Sequence, residues 1–245
     1  MARLLVCLGG LMLLVGACAA ADRIEVRLEP FPPLVNEDGT GLAIDLLMLA
    51  APKAGISFNI EITSYSRAKF QLRNGDADLI GPVPIGMESG GFYEYAQELE
   101  WQMPTQCDLF VLDPTLLEDQ SLPTLDIGVP LGNAEFFADL LALPAEQFTE
   151  SSLTNLVQML ATGRISAVLF ERAATRAVLK NLDIEGVYYR RMFSIPAGFG
   201  VRADAEGREL ARRLDELFRA IGDELILSAY QRYLTLPDQG RVDAR

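Results

Sequence analysis

The stretch SRAKFQLRNGDADLI (66–80) contains, in order, three signals from which the fold can be predicted. Apolar residues recur at helical spacing over 66–74, Asn74-Gly75 is a turn signal that ends a helix, and 77–80 has the character of a short strand. Strands that alternate with helices pair in parallel through crossover connections, so this pattern predicts a parallel sheet and an α/β fold. The elements predicted before this stretch are strand 24–28, helix 42–54 and strand 56–62.

A second group of alternating elements points to a second α/β unit. A strand over 109–112 precedes this unit, which begins with strand 127–129, and two helices close the molecule. The tail from Pro237 is polar and is expected to be loose. The remaining predicted elements are strand 127–129, helix 134–143, helix 152–162, strand 165–170, helix 172–180, strand 199–202 and the closing helices 205–220 and 223–233.

The composition argues against several classes of function. The chain has 245 residues and a net charge of −13, which argues against nucleic acid as a partner because nucleic acid demands basic patches. It contains no histidine, so the usual general base near neutral pH and the commonest metal ligand are absent. It has no glycine-rich nucleotide motif and no Cys-x-x-Cys pair. We therefore expect a protein without catalytic residues, cofactor or metal, and not an enzyme.

The N-terminus has the features of an export signal. Arg3 precedes an apolar segment, 4–15, and small residues follow over 16–21. This segment is shorter than the roughly 20 apolar residues that cross a bilayer, so we expect 1–21 to be a signal peptide and the mature protein, beginning at Asp22, to be periplasmic. The run that ends at Cys18 also resembles a lipobox, which leaves a lipoprotein as the alternative. The predicted first strand begins so close to Cys18 that a lipid anchor would have almost no tether, which favours the soluble form.

Six motifs lie in order along the chain: FPPL (31–34), GLAIDL (41–46), LRNGDADLI (72–80), GVPLGNAE (128–135), LATGRISAV (160–168) and AYQRYL (229–234). Together they resemble the motifs of the family 3 extracellular solute-binding proteins, whose best-known members serve amino-acid transporters. The resemblance implies a type II periplasmic-binding-protein fold, an α/β fold of two lobes joined by two crossover strands. Lobe 1 would contain 22–103 and 194–245, and lobe 2 would contain 104–193.

The resemblance also implies a function. The protein would capture a small polar ligand, with an amine among the candidates, when the two lobes close on it. Its membrane partner would be an ABC-type importer or an inner-membrane sensor, and the protein itself would be a monomer. Two alternatives stay open, a dehydratase-type enzyme on the same fold and a degenerate relative that binds nothing.

Candidate ligand-binding residues of the first lobe lie on loops after predicted strands, where the ligand crevice of an α/β sheet forms. Phe31 and Tyr65 could sandwich an apolar or cationic group. The alternative for Phe31 is burial in the core, and the alternative for Tyr65 is exposure at a helix start. Gly81 and Pro82 follow the third strand. Arg67 is the cation expected nearest to this crevice, although it fits the exposed face of its helix equally well.

The resemblance places two further candidates in the second lobe. The family's aspartate that binds the ligand ammonium falls on Glu171, and its serine or threonine at the second-lobe turn falls on Asn133. The alternative for Glu171 is a solvated ion pair with Arg172 or Arg176. The alternative for Asn133 is capping of the helix that starts at Ala134, whose free amides could also hold an anionic ligand group.

Charge separates this sequence from the amino-acid binders of the family. Those proteins carry a Thr-x-x-Arg whose arginine binds the ligand carboxylate, and the matching stretch here, 84–91, has neither residue. Residues 74–163 contain fifteen acidic residues and no lysine or arginine. Such a field favours a cation or a neutral polar ligand over an anion, unless the stretch is a solvated acidic surface.

Overall fold

The strands of the protein form two separate sheets in the computed structural model, which describes residues 22–89 and 91–243. The predicted signal peptide (1–21) and the lipidation site Cys18 lie outside the described residues. The strands are β1 Asp22–Leu28, β2 Ile56–Ile62, β3 Leu79–Pro84, β4 Ala96–Met103, β5 Gln106–Val111, β6 Ile127–Pro130, β7 Phe148–Ser151, β8 Ala167–Glu171, β9 Tyr188–Ser194, β10 Ala197–Arg202 and β11 Gln239–Arg241. The helices are α1 Leu42–Ala54, α2 Tyr65–Asn74, α3 Ala134–Leu141, α4 Leu153–Ala161, α5 Arg172–Asn181, α6 Ala205–Gly222 and α7 Ser228–Leu234.

Both sheets are mixed, and each contains three parallel strands. The first sheet has the order β2-β1-β3-β10-β4, with β1 parallel to β2 and β3, and with β10 antiparallel to its two neighbours. The second has the order β11-β9-β5-β8-β6-β7, with β6 parallel to β7 and β8 and the other pairs antiparallel. The two sheets and their helices confirm the predicted two-lobed α/β fold.

Helices α1 and α2 begin and end where the sequence provides caps. Gly55 ends α1 in a left-handed conformation (φ 66°), and its amide donates to the Ala51 carbonyl. The side chain of Ser64 caps the start of α2 by accepting a hydrogen bond from the Arg67 amide. The predicted bounds of α1 and β2 are confirmed. None of the described helices combines the length and the apolar character that crossing a bilayer demands.

Two strands of the first sheet differ from the prediction. The sequence places the third strand at 77–80, whereas β3 extends to Pro84 and includes Pro82. These prolines donate no hydrogen bond, and the neighbouring strand β10 shifts its register beside them, between Gly198 and Gly200. β4 has no predicted counterpart, although its burial partly alternates along the strand.

The chain crosses between the lobes at 104–105, after β4, and at 195–196, after β9. The two crossover segments contact each other, since the Ile195 amide donates to the Thr105 carbonyl (3.1 Å) and the Thr105 hydroxyl donates to the Ile195 carbonyl. The two crossover segments therefore lie side by side where the chain passes between the lobes. The lobe limits expected from the sequence, 22–103 with 194–245 and 104–193, stay a prediction.

The C-terminal tail is not loose. The sequence assigns it to the first lobe, but β11 pairs antiparallel with β9 of the second sheet. On either side of this pairing, the Arg191 amide donates to the Asp238 carbonyl (2.6 Å) and the Val242 amide to the Val187 carbonyl (2.8 Å). Backbone pairing needs no apolar side chains, so the free edge of β9 binds a polar segment that lacks a strand pattern.

The C-terminal helices connect the two lobes a third time. Helix α6 packs on β4 and α1 of the first lobe, and α7 contacts α5 of the second. At the second lobe, Arg172 in α5 donates to the carbonyls of Tyr233 and Leu236 and pairs with Asp108 in β5 (Nε to Oδ2 2.6 Å, Nη2 to Oδ1 2.9 Å). Both charged side chains are fully buried. This ion pair therefore joins β5, α5 and the end of α7.

Replacing Arg172 with methionine should destabilise the protein by about 3–5 kcal/mol, because it leaves a buried Asp108 carboxylate without a counter-ion. Urea unfolding followed by circular dichroism measures the change. Arg212→Met is the matched control, since Arg212 pairs with Glu209 and Glu216 on the surface and its loss should cost less than about 1 kcal/mol. Equal costs for the two substitutions would contradict the structural role of the buried pair.

Candidate functional site

A small cavity with a volume of about 50 Å³ lies between the two lobes, and we refer to it as the interlobe cavity. That volume holds a few water molecules. Its wall is mostly apolar and aromatic, and it includes two carboxyl groups. The first lobe contributes Glu29, Phe31, Tyr65, Pro82, Val83, Pro84 and Ala197, the second contributes Cys107, Asn133, Phe136, Phe137, Phe170 and Glu171, and the crossover segments contribute Thr105 and Ile195.

The carboxyl ends of parallel strands from both sheets meet at the interlobe cavity. Glu29 follows β1, and its amide donates to the Gly81 carbonyl in β3 (2.8 Å), which holds Glu29 in place. Glu171 is the last residue of β8 and lies opposite Cys107 of β5. Open α/β sheets bind their ligands at this edge. The topology of the two sheets therefore brings the two glutamates to one cavity.

Direct contacts between the lobes close the cleft around the interlobe cavity. The Asn133 side-chain amide donates to Glu29 Oε1 (3.0 Å). The rings of Phe31 and Phe170 pack edge to face, with centroids 5.2 Å apart and planes at 65°. The cleft is thus closed on itself, with a polar and an aromatic contact across it.

Gly132 lets the two backbones approach at the rim of the cleft. Its φ of 90° favours glycine, and a Cβ at this position would lie 2.5 Å from the Ser66 amide nitrogen of α2. A side chain at position 132 would therefore hold the lobes apart.

Burial changes the ionisation of both glutamates in the interlobe cavity. Each is only 4% exposed, and loss of water raises the pKa of Glu29 and that of Glu171 to about 8. Hydrogen bonds oppose this rise, from Asn133 to Glu29 and from the Ala174 and Ala173 amides to Glu171. Neither carboxyl group forms a salt bridge within 22–89 and 91–243. Both are therefore mostly protonated at neutral pH in the closed protein.

The structure brings together five of the seven residues that the sequence proposes for the site, namely Phe31, Tyr65, Pro82, Asn133 and Glu171. Gly81 and Arg67 do not line the interlobe cavity. Gly81 is buried, and a Cβ there would lie 2.7 Å from the Phe199 ring, so its contribution is packing and the positioning of Glu29. Whether the five lining residues bind a ligand stays a prediction.

The structure places Lys69, and not Arg67, beside the cavity. Arg67 is exposed because two residues turn a helix by about 200° away from Tyr65. Lys69 lies one turn after Tyr65, with its Nζ 4.4 Å from the centre of the Tyr65 ring. Lys69 (Nζ to Oε2 3.5 Å) and the Tyr65 hydroxyl both bind Glu88. Burial and the Glu88 charge raise the pKa of Tyr65 well above its usual value, so its hydroxyl is engaged by Glu88 as a donor.

Asn133 does not cap α3. Its backbone is in a helical conformation (φ −108°, ψ −5°), and its side chain reaches across the cleft to Glu29. Glu150 of β7 takes the place of the cap, because its Oε1 accepts hydrogen bonds from the amides of Gly132 (2.7 Å) and Ala134 (3.0 Å). These amides are therefore not free to hold an anionic ligand group.

Glu171 caps helix α5 in addition to lining the cavity. Its Oε2 accepts a hydrogen bond from the Ala174 amide (2.7 Å). The alternative of a solvated pair with Arg172 or Arg176 is wrong, because Glu171 is buried and Arg172 pairs with Asp108.

The lining residues that sequence reasoning missed include a second buried carboxyl group and three aromatic rings, Glu29, Phe136, Phe137 and Phe170. Glu29 directly follows β1, so the rule that pointed to Phe31 also points to Glu29. The three phenylalanines lie in a predicted helix and at the end of a predicted strand, where burial in the core is the ordinary expectation.

Stability should fall as the pH rises from 5 to 9. The two carboxyl groups have a pKa of about 8 in the closed protein and an ordinary value of 4.5, so the unfolded state loses their protons first and is favoured by rising pH. The loss should reach about 2 kcal/mol or more, and opening of the cleft limits it by returning the groups to water. Urea unfolding at pH 5, 7 and 9 measures it.

The double variant Glu29→Gln/Glu171→Gln is the control for this pH dependence. Glutamine keeps the oxygens that accept from Asn133 and the Ala174 amide, and it does not titrate. Its stability should change less with pH than that of the wild type. Parallel changes in the two proteins would show that other groups cause the effect.

Comparisons with known proteins bear on the fold. A scan against protein-family models found no match, and a search of curated proteins found none either. The structure is similar to a histidine kinase sensor domain with similarity to periplasmic binding proteins, with a TM-score of 0.73 at 14% identity over 91% of this chain and 99% of the other. It is also similar to an ancestral arginine-binding protein bound to arginine (TM-score 0.69, 20% identity, 87% of this chain and 99% of the other).

A third similar structure is an amino-acid ABC transporter substrate-binding protein from Streptococcus pneumoniae bound to L-arginine (TM-score 0.68, 19% identity, 85% of this chain and 94% of the other). At these identities the likeness concerns the fold. The chain has the two-lobed fold of the family 3 solute-binding proteins and of the sensor domains that are built like them.

Proposed function

We propose that this protein captures a small polar ligand between its two lobes, for an ABC-type importer or for a membrane sensor. The observation that carries the proposal is that residues of both lobes build one cavity at the carboxyl ends of their parallel strands. The similar solved structures are described as binding proteins or as a sensor domain, which supports binding over catalysis. A dehydratase acting on carboxylate substrates would need basic residues, and no lysine or arginine lines the interlobe cavity in the described chain.

Ligand entry requires the lobes to rotate apart. The closed cavity of about 50 Å³ is smaller than the pockets of about 300–1,000 Å³ that hold typical ligands. Rotation about the crossovers at 104–105 and 195–196 would break the Asn133–Glu29 hydrogen bond and separate Phe31 from Phe170. A ligand then replaces these contacts and stabilises a closed state around itself.

Location in the periplasm is part of the same proposal. The export signal expected over 1–21 and its removal before Asp22 would deliver the protein to the compartment where importers and sensors collect their ligands. Strand β1 begins at Asp22, so a lipid on Cys18 would leave only a few residues between membrane and fold.

Glu171→Gln should weaken binding of an amine ligand about tenfold or more, because a hydrogen bond between a cation and a carboxylate contributes about 1.5–3 kcal/mol. A thermal-shift screen of amino acids, polyamines, sugars and quaternary amines identifies ligands, and calorimetry measures their affinities. Glu146→Gln, in an exposed position of the second lobe, is the matched control and should bind like the wild type. Unchanged affinity of Glu171→Gln, or tight binding of a dicarboxylate by the wild type, would contradict this role.

Labelling of Cys107 should report the opening of the cleft. This cysteine lines the interlobe cavity, and burial raises the pKa of its thiol, so the closed protein should react slowly with a maleimide. Ligand at 100 times its Kd should slow the reaction by about 100-fold, because it holds the cleft closed. Peptide mass spectrometry assigns the label to Cys107, and urea-unfolded protein gives the unprotected rate. A rate that saturating ligand leaves unchanged would contradict closure.

A further inference from the structure

We infer that the ligand of the interlobe cavity is a small organic cation that carries no carboxylate, an alkylamine or arylalkylamine whose ammonium group binds Glu29 and Glu171. This inference rests on the proposed function and narrows its ligand class. The absence of a carboxylate distinguishes this ligand from arginine, the amino acid to which two of the similar structures are bound.

The two glutamates of the interlobe cavity lack a counter-ion within the described chain. Other buried carboxylates of the described chain are satisfied, Asp108 by Arg172 and Asp215 by the amides of Glu100 and Trp101. Glu29 differs, because its Oε1 accepts one hydrogen bond from Asn133 and its Oε2 accepts none from residues 22–89 and 91–243. A buried carboxyl with an unpartnered oxygen in a cavity wall is ready to accept a hydrogen bond from a bound ammonium group.

Glu171 offers a second acceptor in the same wall. Its Oε2 binds the Ala174 amide, and the group has no salt-bridge partner in the described part of the chain. An ammonium group has three donors. The interlobe cavity thus contains one glutamate from each lobe, and a cation bound by both would hold the lobes closed on it.

The cavity wall built by the described residues also lacks a cationic side chain that could bind a carboxylate. No lysine or arginine lines the wall that the described residues build, and Lys69 just outside is engaged by Glu88. Glu150 binds the amides of Gly132 and Ala134 at the start of α3, and Glu171 binds the Ala174 amide of α5. The carboxylate of an amino acid would therefore be buried without a cationic partner, which is unfavourable.

The rest of the cavity wall is aromatic and aliphatic. Phe31, Phe136, Phe137 and Phe170 surround the cavity with ring surface, and Pro82, Val83, Ile195 and Ala197 add aliphatic surface. Aromatic faces attract desolvated cations, and the same surface favours an apolar ligand body. A sugar would leave most of its hydroxyl groups without partners here.

The binding of such a cation exchanges it for a proton. Both carboxyl groups are mostly protonated at neutral pH in the closed protein, since burial raises the pKa of each to about 8. The ionisable groups that act on Glu29 are Lys69 and Tyr65 of α2. Those that act on Glu171 are Asp108 and Cys107 of β5, Arg172 of α5 and Tyr230 of α7. Amine affinity should therefore rise with pH up to about 8, by at most about tenfold per unit for each proton released.

The test compares ligands that differ only by a carboxylate. Calorimetry on the full chain measures ethylamine against alanine, isobutylamine against valine, and phenethylamine against phenylalanine, at pH 6, 7 and 8. We expect at least one amine to bind about tenfold or more tightly than its amino acid, and its Kd to fall as the pH rises. Glu29→Gln and Glu171→Gln should each weaken the amine about tenfold and reduce the pH dependence, whereas Glu146→Gln should do neither.

The possible outcomes distinguish failure of this inference from failure of the proposed function. Amino acids that bind as tightly as their amines, or isobutanol that binds as tightly as isobutylamine, would overturn the inference and leave the proposed function standing. Absence of binding by both series and by every compound of the thermal-shift screen would overturn the proposed function itself. The pH series on the wild type does not depend on the variants, so it tests the inference even where a substitution impairs folding.

Discussion

Closing the cleft removes the carboxyl groups of Glu29 and Glu171 from water without giving either of them a cationic partner in the described chain. Transfer of an unpaired carboxylate out of water is unfavourable, so each group responds by holding its proton. The closed arrangement of the two lobes is thus compatible with these groups only while they are neutral or while a cation accompanies them. The hydrogen bond that Asn133 donates to Glu29 across the cleft involves one of these groups and is therefore subject to this constraint.

Two contacts hold the cleft closed. One is the aromatic contact between Phe31 and Phe170, and the other is the hydrogen bond from Asn133 to Glu29. Both involve residues that also line the cavity, so the groups that hold an empty cleft closed are those that a ligand would contact. Under the proposed function, a ligand would compete with these lobe contacts for the same residues. The strength of the contacts in the empty cleft would then lower the apparent affinity.

The sequence predicts the fold better than the site, for physical reasons that particular residues illustrate. Local signals set the bounds of α1 and β2, because apolar spacing and the left-handed Gly55 act within a few residues. Asn133 is also a local signal, because it predicts a cap at the start of α3. In the structure, however, Glu150 of the neighbouring strand β7 caps that helix. Glu29 lies in a proline-rich loop whose composition hides its burial. β11 has no apolar side chain and pairs through its backbone, so no side-chain pattern predicts this strand. Contacts between distant segments decide these cases.

The strand order of the two sheets also constrains how the chain folds, because each sheet joins segments that are far apart in the sequence. The first sheet is continuous only when β10 lies between β3 and β4, and the second gains its last strand from 239–241. Each sheet therefore depends on chain from the C-terminal fifth of the sequence, and the buried Arg172 binds carbonyl groups at 233 and 236. Pairings between segments so far apart carry a high entropy of loop closure and slow the search for the native state. Neither sheet can therefore be completed before its late strand, 197–202 in the first sheet and 239–241 in the second, has been synthesised.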